Sequence, residues 1–201
     1  MLKKMICPLL LCCLIGSGVF AQRFMQSAGG TISVMSSPAP TGGVYSSVTL
    51  VLKNLTYYPR FNFVENPNSS ISAGIPLSVG FGTFSNSDGD ASFYYGYDLP
   101  LAIDYNIGGG STKEADGKTG GYVGAGFGYT YTNLSEPSGV YGPDEYKAIS
   151  YGPIARAGIR FRFSLDNKPK PDFGITVGFF YKAGLEADKF KTGGLNILFD
   201  F

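Results

Sequence analysis

From Ile71 to Gly82 the chain alternates without a break, with Ile71, Ala73, Ile75, Leu77, Val79 and Phe81 set against Ser72, Gly74, Pro76, Ser78, Gly80 and Gly82. Successive side chains of a strand point to opposite faces, so this segment has one greasy face and one small or polar face. The same rule governs Phe93 to Ile107, Val123 to Tyr131, Ile149 to Phe163 and Phe173 to Leu185, where odd positions are apolar or aromatic and even positions are largely glycine, serine, threonine or charged. It governs the closing residues as well, with Leu195, Ile197, Phe199 and Phe201 on one face. No segment keeps a 3.6-residue period, and after Ala21 none is apolar for long enough to cross a membrane as a helix.

Upstream, Val48, Leu50 and Leu52 share one parity while Tyr57, Phe61 and Phe63 share the other. That switch predicts one long strand with a bulge near Asn54, because a single extra residue exchanges the two faces. Pro59 then faces outward, between Tyr58 and Arg60. Thr31 to Ser37 supplies a short first strand, which brings the count to eight. Even strand numbers are the rule for single-chain bacterial barrels, and this length suits eight.

Alternation alone also describes a soluble sandwich. Strand length separates the two, since several runs continue past the roughly 9 to 11 residues that a tilted strand needs to cross a bilayer. Aromatic residues gather at two levels: Tyr95, Tyr129, Tyr131, Tyr151 and Tyr181 at one, Tyr105, Phe161, Phe173 and Phe201 at the other. Two such belts mark the interfaces of a membrane barrel. Lipid offers no hydrogen bonds to a free sheet edge, so the sheet has to close. Pro59, Pro76, Pro100 and Pro153 each remove a ladder donor and are placed at bulges or rims. The fold class expected is all-β, a single antiparallel up-and-down transmembrane β-barrel of about eight strands, preceded by a cleaved signal peptide.

Connections should alternate between short periplasmic turns and longer external loops. Glu65 to Ser70 and Asp166 to Pro171 read as short turns, while Asn133 to Tyr146, Asn86 to Ala91 and Ala187 to Thr192 read as external loops. Gly108 to Gly120 departs from the rule: it falls on the periplasmic side yet is long and glycine-rich.

The first 21 residues have the parts of a secretory signal: Lys3 and Lys4, an apolar run from Met5 to Ile15, and Val19-Phe20-Ala21 before Gln22. A membrane anchor would need a longer run. A lipoprotein signal would need small residues where Leu11 and Cys12 stand. Cleavage after Ala21 leaves a barrel domain of residues 22–201 with no cysteine, because Cys7, Cys12 and Cys13 all lie in the leader. It also takes the formal charge from +1 to −1 by removing Lys3 and Lys4. Near-neutral charge argues against a nucleic-acid partner.

Charges within strands concentrate on the inner parity: Arg60, Asp98, Asp104, Arg156, Arg160, Arg162, Lys182, Glu186 and Asp200. In a narrow eight-stranded barrel such residues either pair across a filled lumen or line an ion path, and the limited room favours pairing. The chain has no histidine, which removes histidine-based triads, general bases and metal sites, and the leader takes away every thiol. Asp144 and Glu145 are adjacent loop acids of the ordinary solvated kind. Asn86-Ser-Asp-Gly-Asp90 lacks the later glutamate of a calcium loop and reads as a turn. Gly108-Gly-Gly110 and Gly120-Gly121 lead into no phosphate-binding helix. No catalytic residue, cofactor or metal site is therefore expected.

The apolar face of Leu195, Ile197, Phe199 and Phe201, ending the chain on an aromatic residue, resembles the last strand of bacterial outer-membrane barrels. With the strand alternation and the belts, Thr31 to Phe201 resembles the outer-membrane β-barrel domain family of small porin-like proteins, in the architecture of OmpA-like and OmpX-like eight-stranded barrels. Tyr57-Tyr58-Pro59-Arg60-Phe61-Asn62-Phe63 looks like a motif of one subfamily. The resemblance implies residence in the outer membrane, and a terminal strand read as an address by the barrel assembly machinery. It also implies a non-enzymatic role in envelope structure or in surface interaction through external loops. The expected partners are outer-membrane lipid and that machinery, with the barrel itself a monomer. A narrow pore for ions or small solutes and a secreted soluble barrel carrying an apolar ligand are the alternatives.

Overall fold

The computed structural model describes residues 23–38, 47–85, 91–135, 146–164, 173–186 and 190–201. The leader, Asn86 to Asp90, Asp144 with Glu145, and Asp166 to Pro171 lie outside the described residues. The elements are β1 (Phe24–Pro38), β2 (Ser47–Asn66), β3 (Ser69–Gly74), β4 (Leu77–Ser85), β5 (Ala91–Gly108), β6 (Thr119–Ser135), β7 (Tyr146–Phe163), β8 (Phe173–Ala183) and β9 (Lys191–Asp200). Each strand pairs antiparallel with its neighbours, and β1 pairs with both β2 and β9, so the sheet closes on itself. β3 and β4 lie end to end between β2 and β5 and together fill one place in the ring. The ring therefore has eight places. Closure gives the backbone groups of the wall partners that lipid could not supply.

β1 starts at Phe24, seven residues before the expected Thr31, because Ser27 and Gly29, which continue the inward face from Met25, are too small to write an alternating pattern. β9 likewise starts at Lys191, ahead of Leu195. Both outer strands of the closing seam thus pair over ten positions, from Ser27 with Asp200 to Ser36 with Lys191.

The bulge near Asn54 is not there. β2 pairs with β1 in one unbroken register from Phe61 to Ser47, so Leu50 and Leu52 point into the barrel and Val51, Leu55 and Tyr57 point out. Apolar residues occupy the interior at this level, which is why parity of hydropathy misled. The register shift of β2 falls instead between Asn62 and Val64, against β3. Nor do the prolines sit at bulges or rims. Registers run through Pro59, Pro100 and Pro153 without a shift, each proline forgoing a donor toward one neighbour, and Pro76 alone interrupts a strand, between β3 and β4.

The outward face is apolar, with Leu55 78% and Val79 68% exposed. Aromatic rings mark its two levels: Tyr97 stacks on Tyr131 with centroids 5.2 Å apart, and Phe163 on Phe173 at 5.4 Å. An apolar belt on a closed wall needs lipid around it, which disposes of the soluble ligand carrier. The inward face holds serine, threonine, asparagine and charge, with glycines placed under its large side chains. Tyr94 lies over Gly82, Tyr58 over Gly74, and Tyr122 over Gly158 and Gly178, each so close that an added Cβ would fall within 2.6 Å of the ring or its hydroxyl. Glycine here supplies room.

Candidate functional site

The interior has three levels. At the end where the connections following β1, β4, β6 and β8 lie, Met35, Leu50, Leu52, Tyr94 and Phe190 form a buried apolar cluster. Below it, side chains replace oil with hydroxyls: Thr31 and Thr56 lie 2.7 Å apart, Thr56 and Ser78 2.8 Å, and Asn54 donates to Ser33 at 3.0 Å. Lys182 pairs with Asp98 at 3.7 Å, while Thr130 bonds to both.

The middle level centres on Arg156. Its guanidinium lies 4.4 Å from the ring centre of Tyr58 and 4.9 Å from that of Tyr122, with Asp104 3.5 Å from its Nε. The Tyr58 hydroxyl donates to the other carboxylate oxygen of Asp104. Opposite charge, two ring faces and a hydrogen bond to the carboxylate thus converge on one buried ion pair.

At the opposite end the long Gly108 to Gly120 connection folds back into the barrel mouth. Gly108 and Gly110 adopt φ of 73° and 74°, a left-handed backbone that side chains resist, and the chain turns inward there. The Gly110 carbonyl accepts from Arg60 at 3.0 Å and Arg160 at 3.2 Å, the Ser111 carbonyl from Asn62 at 3.0 Å and Ser70 at 2.6 Å, and the Ala115 carbonyl from Arg162 at 3.1 Å. Arg160 also donates to Asn106 at 2.8 Å and lies 5.1 Å from the Tyr122 ring. This turn is a cap. Its unusual length is the length needed to bring carbonyl oxygens to guanidinium groups.

Of the charged residues expected inside, the structure brings together Asp104 with Arg156 and Asp98 with Lys182. Arg60, Arg160 and Arg162 meet main-chain carbonyls of the cap. Asp200 accepts hydrogen bonds from Ser27 and Thr176 at the seam. Glu186 lies past the end of β8, where its carboxylate accepts from the backbone of Phe190 at 2.7 Å and Tyr151 at 3.1 Å. There it shapes the connection that follows β8. Leu195, Ile197, Phe199 and Phe201 all point to lipid. Sequence reasoning passed over Tyr58, Tyr122 and the cap carbonyls. The available signals were tyrosines on an otherwise small inner face, and five inner bases against four acids, which leaves guanidinium groups in need of neutral acceptors.

Small cavities remain between these levels. One cavity of about 20 Å³ lies beside Thr31, Asn54, Asp98 and Thr130, and another of about 20 Å³ beside Thr56, Pro100, Ile154 and Arg156. Each holds roughly one water molecule. Among the described residues no group of histidine, cysteine and acidic side chains could hold a metal ion.

No family model matches the chain, and no curated protein matches it. Among solved structures, it is similar to Neisserial surface protein A at 13% identity and a TM-score of 0.55, over 88% of this chain and 95% of that one. Ail, the attachment invasion locus protein of Yersinia pestis, solved with the heparin analogue sucrose octasulfate, matches at 16% identity and a TM-score of 0.48, over 88% of this chain and 97% of Ail. The outer membrane protein OprG of Pseudomonas aeruginosa matches at 14% identity and a TM-score of 0.47, over 88% and 94%. An eight-place closed ring, a lipid-facing belt between two aromatic levels and the likeness to the Neisserial protein give this chain the fold of an eight-stranded outer-membrane β-barrel.

Proposed function

We propose that the chain is a non-enzymatic, monomeric barrel that serves envelope structure or surface interaction through its wall and its external loops, with the lumen acting as a packed plug. The observation that carries this reading is the filled interior. An apolar cluster occupies one end, the Arg156 layer the middle and the folded-in turn the other end, with cavities of about 20 Å³ between them. The mature protein should then conduct little in planar bilayers. Steady, large channels, with Arg156→Ala changing ion selectivity but not stability, would establish a pore instead.

Its partners on this reading are outer-membrane lipid and, during biogenesis, the barrel assembly machinery. The lipid-facing row from Leu195 to Phe201 supports a role for the last strand as the signal that machinery reads. Deleting Phe201 should leave export intact, lower the amount of inserted barrel and send the protein to periplasmic degradation, as followed by cell fractionation and unheated gel mobility. Unchanged outer-membrane levels would remove the assembly role.

A further inference from the structure

Beneath the cap lie two buried cations without a counter-ion. Arg60 and Arg160 are 2% and 0% exposed, and among the described residues neither forms an ion pair with a carboxylate. The acids of this end are engaged elsewhere: Asp104 with Arg156 and the Tyr58 hydroxyl, Asp200 with Ser27 and Thr176, and Glu65 with Arg23 and Asn62. Glu114 and Asp116, in the cap itself, are exposed. Both guanidinium groups converge instead on one neutral oxygen, the Gly110 carbonyl, and Arg160 adds only Asn106 and the Tyr122 ring. The Nε–H of each is buried with no partner, as is the hydroxyl of Ser111, the next cap residue.

A carbonyl dipole does not balance a charge. Buried charges are ordinarily paired, and a hydrogen bond to an ionised acceptor is stronger than one to a neutral acceptor. The adjacent carbonyl oxygens of Gly110 and Ser111 sit where four donors meet, Arg60 and Arg160 on the first, Asn62 and Ser70 on the second. That is a donor set for an oxyanion with two or more oxygens, occupied here by the chain's own backbone. This occupant can move. Gly108 and Gly110, at positive φ, flank Gly109 at its base, where no Cβ obstructs a swing of the backbone, and Lys113, Glu114, Asp116 and Lys118 are exposed along the rest of the turn.

We infer that the cap stands in for a ligand: a doubly charged phosphate, free or as a soluble monoester, displaces the Gly110 and Ser111 carbonyls from Arg60, Arg160, Asn62 and Ser70, and the turn swings out about Gly108 to Gly110. The charge fixes the class. Two uncompensated guanidinium groups call for two negative charges, and a phosphate monoester carries about −1.5 to −2 at pH 7, where a carboxylate, a chloride or a phosphodiester headgroup carries one. The planar fork of a guanidinium also matches phosphate oxygens, and there the orphaned Nε–H groups find acceptors. The ligand fills the room that the turn leaves. The Arg156 layer lies deeper and is untouched, so the lumen stays filled when the turn swings out.

The mature barrel, folded in octyl glucoside without phosphate, is titrated with inorganic phosphate and followed in two ways. Equilibrium dialysis measures bound phosphate, and trypsin cleavage at Lys118 is measured on the folded species separated by unheated gel mobility. A single phosphate should bind per barrel, and cleavage should rise several-fold with the same midpoint, while sodium chloride at equal ionic strength does neither. Two variants should move the midpoint in opposite directions. Thr112→Val removes the bond from the Ala115 N–H that folds the cap on itself and leaves the four donors in place, so less phosphate is needed by several-fold. Arg60→Lys keeps the charge but loses the fork and its Nε–H, so more is needed by several-fold. If Arg60→Lys does not fold, Thr112→Val carries the comparison. Absence of saturable binding overturns the site, and binding without increased cleavage overturns displacement of the cap. Cleavage that follows ionic strength alone, or a midpoint that Thr112→Val leaves in place, means a turn loosened by salt and overturns both. Phosphatidylglycerol added without phosphate should leave Lys118 protected, and cleavage there overturns the assignment to a doubly charged soluble ligand.

Discussion

The two halves of the lumen are built on opposite principles within one sheet. Toward the cap, β2 sends Tyr58, Arg60 and Asn62 inward and the space is filled by ion pairs, ring faces and hydrogen bonds to carbonyls. Toward the other end the same strand sends in Leu50 and Leu52, which pack on Met35, Tyr94 and Phe190. The backbone register does not change between them. The difference teaches that alternation in a barrel encodes which way a side chain points, while the polarity of the inside is set separately at each level along the axis.

The halves should answer differently to the loss of one side chain, and the largest effect belongs to the polar one. Asp104→Ala leaves Arg156 between Tyr58 and Tyr122 without the carboxylate 3.5 Å away. An uncompensated buried charge of this kind costs on the order of 3 to 5 kcal/mol. Urea unfolding of the barrel in lipid vesicles measures it. A loss below about 1 kcal/mol, the range of solvent-exposed ion pairs, would mean that water reaches Arg156 and that the polar half is no plug.

Leu52→Ala is the matching change in the apolar half. Truncating a buried leucine costs about 2 to 5 kcal/mol through lost transfer energy and the cavity left behind. Because no charge is involved, the loss should stay the same as salt is raised in the unfolding measurement. A salt-dependent loss would indicate that the charged level below had rearranged, and the two halves would no longer count as separate.

The polar half was the more legible of the two from sequence. Arg156, Arg160 and Lys182 stand out against the glycines and threonines of their own parity, so their direction follows from period two. Leu50 and Leu52 do not stand out, because leucine is welcome in lipid and in an apolar lumen alike, and parity then has nothing to contrast. The same ambiguity produced the bulge expected near Asn54. β1 was half hidden for the opposite reason: Ser27, Gly29 and Gly30 are too small to write a pattern, and only pairing with β2 and β9 defines them as strand. The cap was visible as an anomaly of length between Gly108 and Gly120, but its function depends on main-chain carbonyls, which every residue carries and no sequence pattern marks. Asp104 with Arg156 was foreseeable as opposite charges on one face; the tyrosines that sandwich the guanidinium come from β2 and β6, and their meeting depends on the closed ring.

The smallest of the expected effects tests how the polar half ends. Gly110 has φ of 74°, and a Cβ there would meet Arg160 Cδ at 3.3 Å, so Gly110→Ala strains the backbone and pushes against one of the two arginines that bond to its carbonyl. A non-glycine residue in the left-handed region costs about 1 to 2 kcal/mol. Part of that strain can be released if the turn lifts out of the mouth, but lifting breaks the bonds from Arg60 and Arg160 to the Gly110 carbonyl, and hydrogen bonds from charged groups contribute about 1.5 to 3 kcal/mol each. The turn should therefore stay down and bear the strain, and the variant should lose about 1 to 2 kcal/mol in urea while Lys118 remains as resistant to trypsin as in the wild type. Rapid cleavage at Lys118 with little loss of stability would mean that the arginines do not hold the turn, and that this end of the lumen is open where the apolar end is closed.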